Sequence, residues 1–433
     1  MPFEAGPLGR KKVAVIGAGI SGMGAAQALA DTHDVTLFEA EPRLGGHART
    51  IVAGKRGDQP VDTGFIVFNY ANYPNLARMF DRLDVPVVKS SMSFGASVRG
   101  GRVEYGLDGA KAFFAQKRNA LNPWFLGMLR DILRFNAKAI KEAKQNQGMT
   151  IGEFLDHLQM GKWFREYYLL PFSGAIWSTP KEQIMDFPAH AMVQFFENHA
   201  LLGYEGQHQW YTVKGGSTQY VQRLEREMHT QGVAMRLGCP VDGVRRLERG
   251  PEVKVTGADW EPFDDVVFAT HSDVTLALLV DPSHEEKTAL GSVSYQPNDV
   301  VLHADKSVMP KSRAVWSSWN YAEAAAQRDG QIDITYWMNS LQPIPTDDPH
   351  FVTLNSRRPI REELIYDQVT LHHPVYDLAA LKAQTTLREM NGRRQTWFCG
   401  AWMRHGFHED GLASGLDVAD AINERGSVPV AAE

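Results

Sequence analysis

A glycine-rich turn near the start of the chain constrains the fold more than any other feature. The apolar run at residues 13–16 is short, and Gly17, Gly19 and Gly22 follow it directly. An alanine-rich stretch that favours a helix comes next, at residues 25–30. A short apolar run of this kind is typical of a buried parallel strand, so the sequence predicts a strand, a tight turn and a helix.

The spacing of the three glycines, G-x-G-x-x-G, suits a turn that holds a dinucleotide. The first glycine permits the tight turn, the second lets the backbone approach a pyrophosphate, and the third allows close packing of helix on strand. Phosphates then lie at the positive end of the helix. The next predicted strand, DVTLFE, ends at Glu39, whose carboxylate can accept hydrogen bonds from both ribose hydroxyls. If the turn had only a structural role, the presence of an acid at Glu39 would be a coincidence. An acid at this position also disfavours NADP as the ligand.

Length and composition restrict the class of protein. With 433 residues the chain is long enough for two domains or one elaborate α/β unit. Its formal net charge of −6 gives no indication of nucleic-acid binding. Cys239 and Cys399 are far apart and lack metal-ligand spacing, so we expect neither disulfides nor a metal site, and a cytoplasmic location. No run reaches the roughly 18 apolar residues that a membrane span needs.

Three further segments resemble the flavin-containing amine oxidase superfamily. EAEPRLGGHART matches the R-x-G-G segment that approaches the FAD pyrophosphate and flavin, and VDTGF matches the D-x-G strand beside the isoalloxazine. TWFCGAW, followed by GFHEDGLASG, matches the last strand, its glycine and the terminal helix, whose positive end stabilises charge on reduced flavin. The resemblance implies FAD as the cofactor. It is expected to be non-covalent, because no cysteine occupies the stretch before Thr396 where some amine oxidases tether FAD.

The glycine turn and the resemblance together give a set of expected FAD-binding residues. They are Gly17, Ala18, Gly19, Ser21, Gly22, Glu39, Ala40, Arg43, Gly45, Gly46, His47, Gly64, Phe65, Val241, Gly400, Gly411 and Leu412.

The resemblance also implies an α/β architecture. A Rossmann-like FAD-binding domain of the glutathione-reductase type is expected to interleave with an α+β substrate domain, as in amine oxidases. The expected FAD-binding segments are 1–75, 206–294 and 386–433, and the expected substrate-binding segments are 76–205 and 295–385. In the latter, VWSSWNY and DITYWMN alternate aromatic and polar residues, which predicts half-buried strands at the floor of a substrate cavity.

Three departures from the superfamily pattern argue against amine oxidation. His47 stands where amine oxidases usually carry an arginine, and Ala401 replaces their acid after the late glycine. SYQPNDVVLH, at the position of the strand that carries their lysine near flavin N5, contains no lysine.

Several longer stretches resemble one family more closely. They include GFIVFNYANYPNL, PFSGAIWSTP, ENHALL, YTVKGGS, HHPVYD and GFHEDGLASG, and the likeness runs over about residues 11–422. The family comprises the flavoprotein domain fused to plant cyclopropane fatty acid synthases and its stand-alone bacterial relatives. Among these are desaturases of methyl-branched acyl chains in furan fatty acid synthesis. The resemblance implies a lipid acyl-chain substrate and a functional partnership with a fatty acid methyltransferase.

We therefore expect an FAD-dependent oxidoreductase that desaturates a lipid acyl chain by hydride transfer to flavin N5. Two alternatives stay open: an oxidase of a small amine, and a flavin-bearing partner that delivers lipid to a methyltransferase without turnover. The candidate catalytic bases are His408 and Glu409, which the motif puts near the flavin. Each has a structural alternative, since it can cap the terminal helix or bind the cofactor. Asp410 is expected to be the N-cap of that helix.

Residues 111–144 form a basic and apolar segment. It holds eight Lys and Arg residues against two acids, although the whole chain is acidic, and its apolar residues recur near helical spacing. One interpretation is a helix that lies on anionic lipid at the inner face of the membrane. The other is an ordinary surface helix that packs its apolar stripe on the core. The sequence favours neither.

Overall fold

The computed structural model describes residues 10–177, 181–199, 201–203, 208–323 and 333–427. In chain order the strands are β1 Lys12–Ile16, β2 Asp34–Phe38, β3 Thr50–Ala53, β4 Gln59–Asp62, β5 Val67–Phe68, β6 Val87–Ser90, β7 Phe94–Val98, β8 Val103–Gly106, β9 Trp210–Val213, β10 Ala234–Arg236, β11 Val241–Leu247, β12 Gly250–Val255, β13 Trp260–Pro262, β14 Asp265–Phe268, β15 Ser294–His303, β16 Trp319–Ala322, β17 Asp333–Trp337, β18 Phe351–Leu354, β19 Ile365–Val375 and β20 Thr396–Phe398.

The helices, also in chain order, are α1 Ile20–Leu29, α2 Pro74–Arg82, α3 Gly109–Phe113, α4 Pro123–Gln145, α5 Ile151–His157, α6 Lys162–Phe164, α7 Leu170–Trp177, α8 Lys181–Met185, α9 Ala189–Asn198, α10 Thr218–Thr230, α11 Ser272–Leu278, α12 His284–Leu290, α13 Met338–Leu341, α14 Leu378–Met390 and α15 His408–Ser427. A π-helical turn, Arg165–Leu169, joins α6 to α7.

A five-stranded parallel sheet with the order β10-β2-β1-β14-β20 forms the nucleotide-binding half. Its central strand β1 is buried on both faces. Val13 and Val15 pack with α1, α10 and α15, while Ala14 and Ile16 pack with α12 and α14. The predicted buried parallel strand and the α/β fold class are confirmed. Strands from distant parts of the chain meet in this sheet, so the half is built from discontinuous segments.

Helices α1 and α15 cross closely on one face of the parallel sheet. A Cβ added to Gly24 of α1 would lie 2.5 Å from Leu412 Cδ1, and one on Gly415 would lie 2.2 Å from the Ser21 carbonyl oxygen. Glycines at these positions let the two helix backbones approach, which brings the start of the last helix beside the first glycine turn.

A seven-stranded sheet with the order β19-β15-β18-β17-β16-β7-β8 forms the second half. Its neighbours pair antiparallel except β7 and β16, which are parallel. Helices α4, α5, α7 and α9 bury their apolar residues against this sheet in one large core. The longest of them, α4, starts at Pro123, and the Asn122 side chain caps it by accepting from the amides of Trp124 and Phe125.

The expected division into segments stays a prediction. The boundary at 205/206 lies within residues 204–207, and residues 1–9 and 428–433 also lie outside the described residues. The boundary at 385/386 falls inside α14, which packs on the parallel sheet along its buried face. In the part of the chain that the structure describes, no helix is long and apolar enough to cross a membrane.

Candidate active site

The first glycine turn has the geometry that close approach of a ligand needs. Gly17 has φ +100°, and its amide donates to the Phe38 carbonyl at 2.8 Å. A Cβ on Gly22 would lie 1.8 Å from the Gly17 carbonyl oxygen, so no larger residue fits there. Gly19 differs, because an added Cβ would meet nothing within 4 Å. The crowded glycines shape the turn, and the open side at Gly19 leaves room for a pyrophosphate.

Glu39 stands at the end of β2 with its carboxylate oriented by backbone amides. Oε2 accepts from the Ala18 amide at 2.7 Å and Oε1 from the Glu41 amide at 2.9 Å. Each oxygen keeps a free lone pair for a hydroxyl ligand. The neighbouring Ala40 is exposed. The Glu39 carbonyl accepts from the Cys239 amide, which brings the start of β11 and its first residue, Val241, to the same edge.

The second glycine pair packs directly on the first turn. The Gly45 amide donates to the Ala18 carbonyl at 2.9 Å, and a Cβ on Gly46 would lie 3.1 Å from Gly19 Cα. Both glycines have positive φ, +108° and +55°. Arg43 donates to the Gly46 carbonyl at 3.0 Å, so its guanidinium holds the loop in shape. The two glycine segments therefore form one backbone cradle.

The segment around Gly64 lies against the end of this cradle. A Cβ on Gly64 would lie 1.9 Å from the His47 carbonyl oxygen, and the Phe65 amide donates to the same oxygen at 3.0 Å. Below it, the buried Asp62 carboxylate accepts from Ser217 and other donors, while burial raises the pKa of Asp62 to about 6. These bonds fix the end of β4, and Gly64 and Phe65 lie in the bend that follows it.

The end of the chain completes the same region. The Gly400 amide donates to Ser414 Oγ at 3.1 Å, and a Cβ on Gly411 would lie 3.0 Å from Ser21 Oγ. Helix α15 starts at His408, so the expected N-cap at Asp410 is wrong. Asp410 lies inside the first turn and accepts from the Phe407 amide at 2.9 Å. Its carboxylate thus caps the helix from within the turn.

A cavity of about 690 Å³ leads away from this region into the second half. At one end it is lined by His47, Gly64, Phe65 and His408, and its walls continue through Phe172 and Trp319. At the other end it is lined by α3 and α4 through Phe113, Phe114, Leu129 and Ile132. Most lining residues are apolar, so the cavity suits a long apolar ligand.

His408 lies in the cavity wall in a neutral state. Its ring stacks on Phe65 with centroids 3.9 Å apart, and burial lowers its pKa to about 3. Tyr220 Oη is 2.6 Å from His408 Nε2, and burial keeps the pKa of Tyr220 well above its usual range. We assign the phenol as the donor, because a phenol O–H is the stronger donor and an imidazole nitrogen the stronger acceptor of this pair; His408 then carries its own proton on Nδ1. Its one accepting nitrogen is already engaged.

Glu409 points away from the cavity. Its Oε1 accepts from the Asn75 amide at 3.0 Å and from Asn75 Nδ2 at 2.7 Å, and its Oε2 accepts from the Leu76 amide at 2.9 Å. These amides belong to the first turn of α2, whose positive end favours a carboxylate. Glu409 thus satisfies the structural alternative of a helix cap, with α2 as the helix it caps, and we assign it no catalytic role.

Sequence reasoning did not single out His199, which also lines the cavity. Its Nδ1 is 2.9 Å from the Phe195 carbonyl oxygen, and burial lowers its pKa to about 4. Because a carbonyl only accepts, Nδ1 carries the proton and Nε2 is left with a free lone pair. His199 lies in ENHALL, one of the stretches that carry the closer resemblance, but no spacing indicated its role, since His199 follows α9 and comes to the cavity only by tertiary packing.

Two further imidazoles lie beside His47. The ring of His373 is 5.6 Å from that of His47, and the ring of His271 is 5.9 Å away on another side. Burial lowers the pKa of His373 to about 3 and that of His271 to about 4, so both are neutral. His47 Nε2 is buried without a hydrogen-bond partner among the described residues. A polar ligand atom at this end would satisfy it.

The residues present fit FAD. The open side of the turn at Gly19 and the free lone pairs of Glu39 match a pyrophosphate and a ribose. The unpartnered His47 Nε2 matches a polar ring edge at the cavity end. The expected FAD-binding residues lie around this region, where Arg43 is bonded within its own loop and Leu412 packs against Gly24. Their contacts with FAD stay a prediction.

Comparisons with known proteins agree with this geometry. Residues 20–328 match the family model described as flavin containing amine oxidoreductase. No curated protein sequence matches the chain. Similar solved structures include a CLA-producing fatty acid isomerase from P. acnes, 15% identical with a TM-score of 0.66 over 96% of this chain and 98% of that chain.

Two amine oxidases are similar to the same degree. A putrescine oxidase with a redesigned cofactor-binding site is 16% identical, with a TM-score of 0.69 over 96% of this chain and 99% of that chain. Cyclohexylamine oxidase from Brevibacterium oxydans IH-35A is 14% identical, with a TM-score of 0.68 over 96% and 99%. At these identities the structures establish the amine oxidase-like fold and leave the substrate open.

Proposed function

The chain belongs to the family of flavin-containing amine oxidoreductases, and we propose that this FAD-dependent oxidoreductase desaturates a lipid acyl chain. The substrate we propose is a methyl-branched, unsaturated acyl group of a phospholipid. The single observation that carries the proposal is the apolar cavity of about 690 Å³ that leads from the glycine cradle into the second half.

FAD, when bound, supplies a two-electron oxidant that accepts a hydride at N5. The backbone of Gly17, Gly19 and Gly22 would hold its pyrophosphate and Glu39 its ribose. The open His47 Nε2 would face the ring end of the cofactor. In desaturation the substrate loses a hydride from one carbon and a proton from another, and a new carbon–carbon double bond forms.

The walls of the cavity support an apolar substrate rather than a charged one. Phe172, Trp319 and Leu354 are among its large apolar lining residues, and Asp108 is the one acidic residue among the described lining residues. The imidazoles at the flavin end have lowered pKa values and carry no charge at neutral pH. Such walls exclude water and hold an extended chain so that one C–H bond meets the oxidant.

We propose His199 as the residue that accepts the proton. Its unprotonated Nε2 has no hydrogen-bond partner among the described residues, its ring lines the cavity, and Phe195 fixes that ring through the carbonyl bond and a stacked contact at 3.9 Å. His408, the earlier candidate, has its accepting nitrogen occupied by Tyr220. His408 would instead shape the flavin end of the cavity through its stack on Phe65.

One specific observation favours a second function. The fold of a fatty acid isomerase is similar over nearly the whole chain, and isomerisation would use the same apolar cavity without net oxidation. Oxidation of a small amine and lipid delivery to a fatty acid methyltransferase without turnover are the remaining alternatives.

Anaerobic mixing separates these four functions. FAD-loaded protein is mixed with a detergent-dispersed phospholipid that carries a methyl-branched, monounsaturated acyl chain, and the flavin absorbance and the acyl mass are followed. Desaturation predicts loss of flavin colour together with loss of two hydrogens from the acyl chain, in equal amounts. An unchanged mass with a displaced double bond and oxidised flavin would make the protein an isomerase. Bleaching by amines alone would make it an amine oxidase, and no reaction with co-purified lipid would make it a delivery partner.

Matched variants test the two structural parts of the proposal. Leu129→Trp fills the cavity from α4, while Ala137→Trp adds the same ring on an exposed position of the same helix. Only Leu129→Trp is expected to slow flavin reduction.

His199→Gln removes the proposed proton acceptor. His190→Gln, on the preceding helix and outside the cavity lining, is its control. Equal rates for His199→Gln and wild type would contradict the assignment.

A further inference from the structure

An exposed apolar surface lies on the N-terminal part of α4 and the turn before it. Leu121 is 87% exposed, Trp124 68%, Leu126 42% and Leu133 48%. These are four of the eleven exposed large hydrophobic residues in the described part of the chain, and all four fall within residues 121–133. We refer to them as the α4 surface. Clustering of this kind marks an interaction site more than isolated exposed residues do.

Packing on the core does not account for the α4 surface. The inner face of α4 already buries Phe125, Met128 and Ile132, and these residues satisfy the interpretation of an ordinary surface helix. Leu126 and Leu133 lie on the outer side of the same helix. The helix is thus apolar on both sides over its first half, and only the inner side has a protein partner among the described residues.

Cations lie on the same segment of the chain as the α4 surface. Lys111, Lys117, Lys138 and Lys141 are exposed and form no ion pair among the described residues. Arg130 and Arg134 share a single carboxylate, that of Asp131, so their charges are only half compensated. The rest of the chain is acidic enough to give the whole protein a net charge of −6. The local excess of positive charge is complementary to an anionic surface.

The cavity reaches the protein surface beside this region. Asp108, Gly109 and Ala110, at the start of α3, line the cavity and are also exposed. Phe113 of α3 contacts Phe125 of α4 with ring centroids 4.8 Å apart, which fixes the opening next to the first turn of α4. On α4 itself, Leu129 lines the cavity one turn from both Leu126 and Leu133.

We propose that the α4 surface docks on an anionic lipid bilayer and that the acyl substrate enters the cavity directly from it. Trp124 and the exposed leucines insert into the headgroup and acyl boundary, and the exposed lysines of the same segment contact anionic headgroups. The acyl chain then passes from the bilayer between α3 and α4 into the cavity, where most of the lining side chains are apolar and Asp108 stands at the opening. The entry route rests on the proposed acyl substrate, whereas docking itself does not.

Vesicle flotation tests docking by itself. FAD-loaded protein is mixed with vesicles of phosphatidylcholine, with or without phosphatidylglycerol. We expect flotation with the anionic vesicles only, weakened by high salt. Leu121→Asp combined with Trp124→Asp is expected to weaken binding at least tenfold, and so is Lys138→Glu combined with Lys141→Glu. The flavin spectrum reports that each variant is folded.

Matched controls come from exposed apolar residues elsewhere. Val280 is 61% exposed and Leu378 is 52% exposed, and both lie outside segment 111–144. Val280→Asp combined with Leu378→Asp is expected to float as the wild type does. Equal binding by this control and the α4 variants would overturn the proposal. Equal flotation with neutral vesicles would also overturn it. So would no flotation at all, which is the result expected if the α4 surface binds an acidic protein instead of lipid.

A second measurement separates docking from the proposed reaction. With substrate embedded in anionic vesicles, the Leu121→Asp and Trp124→Asp double variant is expected to reduce its flavin at least tenfold more slowly than wild type. With detergent-dispersed substrate the two should be equal. Equal rates from vesicles would overturn the entry route and leave desaturation intact. Flotation without flavin reduction in either form would leave docking intact and contradict the proposed function.

Discussion

The two halves of the molecule are constrained by different kinds of contact. In the parallel-sheet half, main-chain atoms approach so closely that only glycine fits, as at Gly17, Gly22 and Gly64. In the half built on the seven-stranded sheet, large side chains such as Phe125, Phe172 and Trp319 fill space or line the cavity. A glycine position is specified by its sequence spacing, whereas a cavity wall is specified only by how distant segments pack.

This difference predicts that the two halves will respond differently to substitution. A methyl group added in the glycine cradle has no space and meets backbone that cannot yield. A changed side chain in the cavity alters volume and polarity but leaves the backbone intact. Cofactor binding should therefore fail abruptly in the first half, and reaction rate or substrate choice should change gradually in the second.

The largest effect is expected for Gly22→Val. Its side chain would start 1.8 Å from the Gly17 carbonyl oxygen, so the turn cannot keep its shape. We expect protein that retains no FAD, measured as the absence of flavin absorbance after purification and after incubation with excess FAD. Gly127→Ala on α4 is the control, since an added Cβ there meets nothing within 4 Å. It should bind FAD normally and be stabilised by up to about 1 kcal/mol. A yellow Gly22→Val protein would contradict the comparison.

The next largest effect is a loss of stability in acid, centred where the halves meet. Burial lowers the pKa of His199 and His271 to about 4 and that of His373 and His408 to about 3, against about 6.5 in an unfolded chain. The unfolded state therefore binds more protons than the folded state as pH falls from about 6.5 towards 4. Each imidazole then removes up to about 1.4 kcal/mol of stability per pH unit.

Asp62 acts in the opposite direction, because its pKa is raised to about 6 and its protonation on folding adds stability below that pH. Burial also raises the pKa of Asp410, but four imidazoles outweigh two carboxyls, so the midpoint of thermal unfolding should fall steeply between pH 6.5 and 4.5. His373→Gln should make the fall shallower. A midpoint that stays constant over this range would mean that these histidines are not buried in the folded state.

A smaller effect is expected at Glu409, for which the sequence suggested either a structural or a catalytic role. Glu409→Ala leaves the amides of Asn75 and Leu76 without their acceptor and should cost about 2 kcal/mol of unfolding free energy. Glu409→Gln should cost less, because the amide oxygen still accepts. Flavin reduction per bound FAD should be unchanged in both, as measured in single turnovers. A large loss of rate in folded Glu409→Gln would restore the catalytic assignment.

Much of the cofactor half could be predicted from sequence. The spacing of the glycines, the strand ending at Glu39 and the late glycine all specify backbone geometry locally, and the structure has the expected strand, turn and helix there. An N-cap at Asp410 predicts that the helix starts at Gly411, three residues after its actual start at His408, because the Asp410 carboxylate bonds backwards to Phe407 instead of forwards along the helix. The local sequence permits the Asp410 side chain to bond in either direction along the backbone, so it cannot show which bond forms.

For the half that holds the cavity, the sequence predicts the kinds of residue and element present but not their tertiary contacts. Aromatic strands and a basic apolar helix were visible in the sequence, but neither the free Nε2 of His199 nor the role of Glu409 was. Glu409 caps a helix that lies more than 300 positions earlier in the chain, and the partner of His408 lies 188 positions earlier. Such pairings carry no periodicity or spacing, because only the packing of α2, α10 and α15 creates them.

The smallest effect is expected for Tyr220→Phe, and it tests whether His408 is a positioning residue or a base. The change removes the phenol that donates to His408 Nε2 and should cost about 1 kcal/mol of stability. Tyr376→Phe is the control, because the buried Tyr376 hydroxyl has no hydrogen-bond partner in the described part of the chain, so its removal should be neutral or stabilising.

Burial still holds His408 neutral after Tyr220→Phe, while its Nε2 becomes free to accept a proton. If His199 is the acceptor, the rate of flavin reduction in single turnovers stays within about threefold of wild type, consistent with loss of one neutral bond. A marked acceleration, abolished by adding His408→Gln, would instead identify His408 as a base that Tyr220 holds in check.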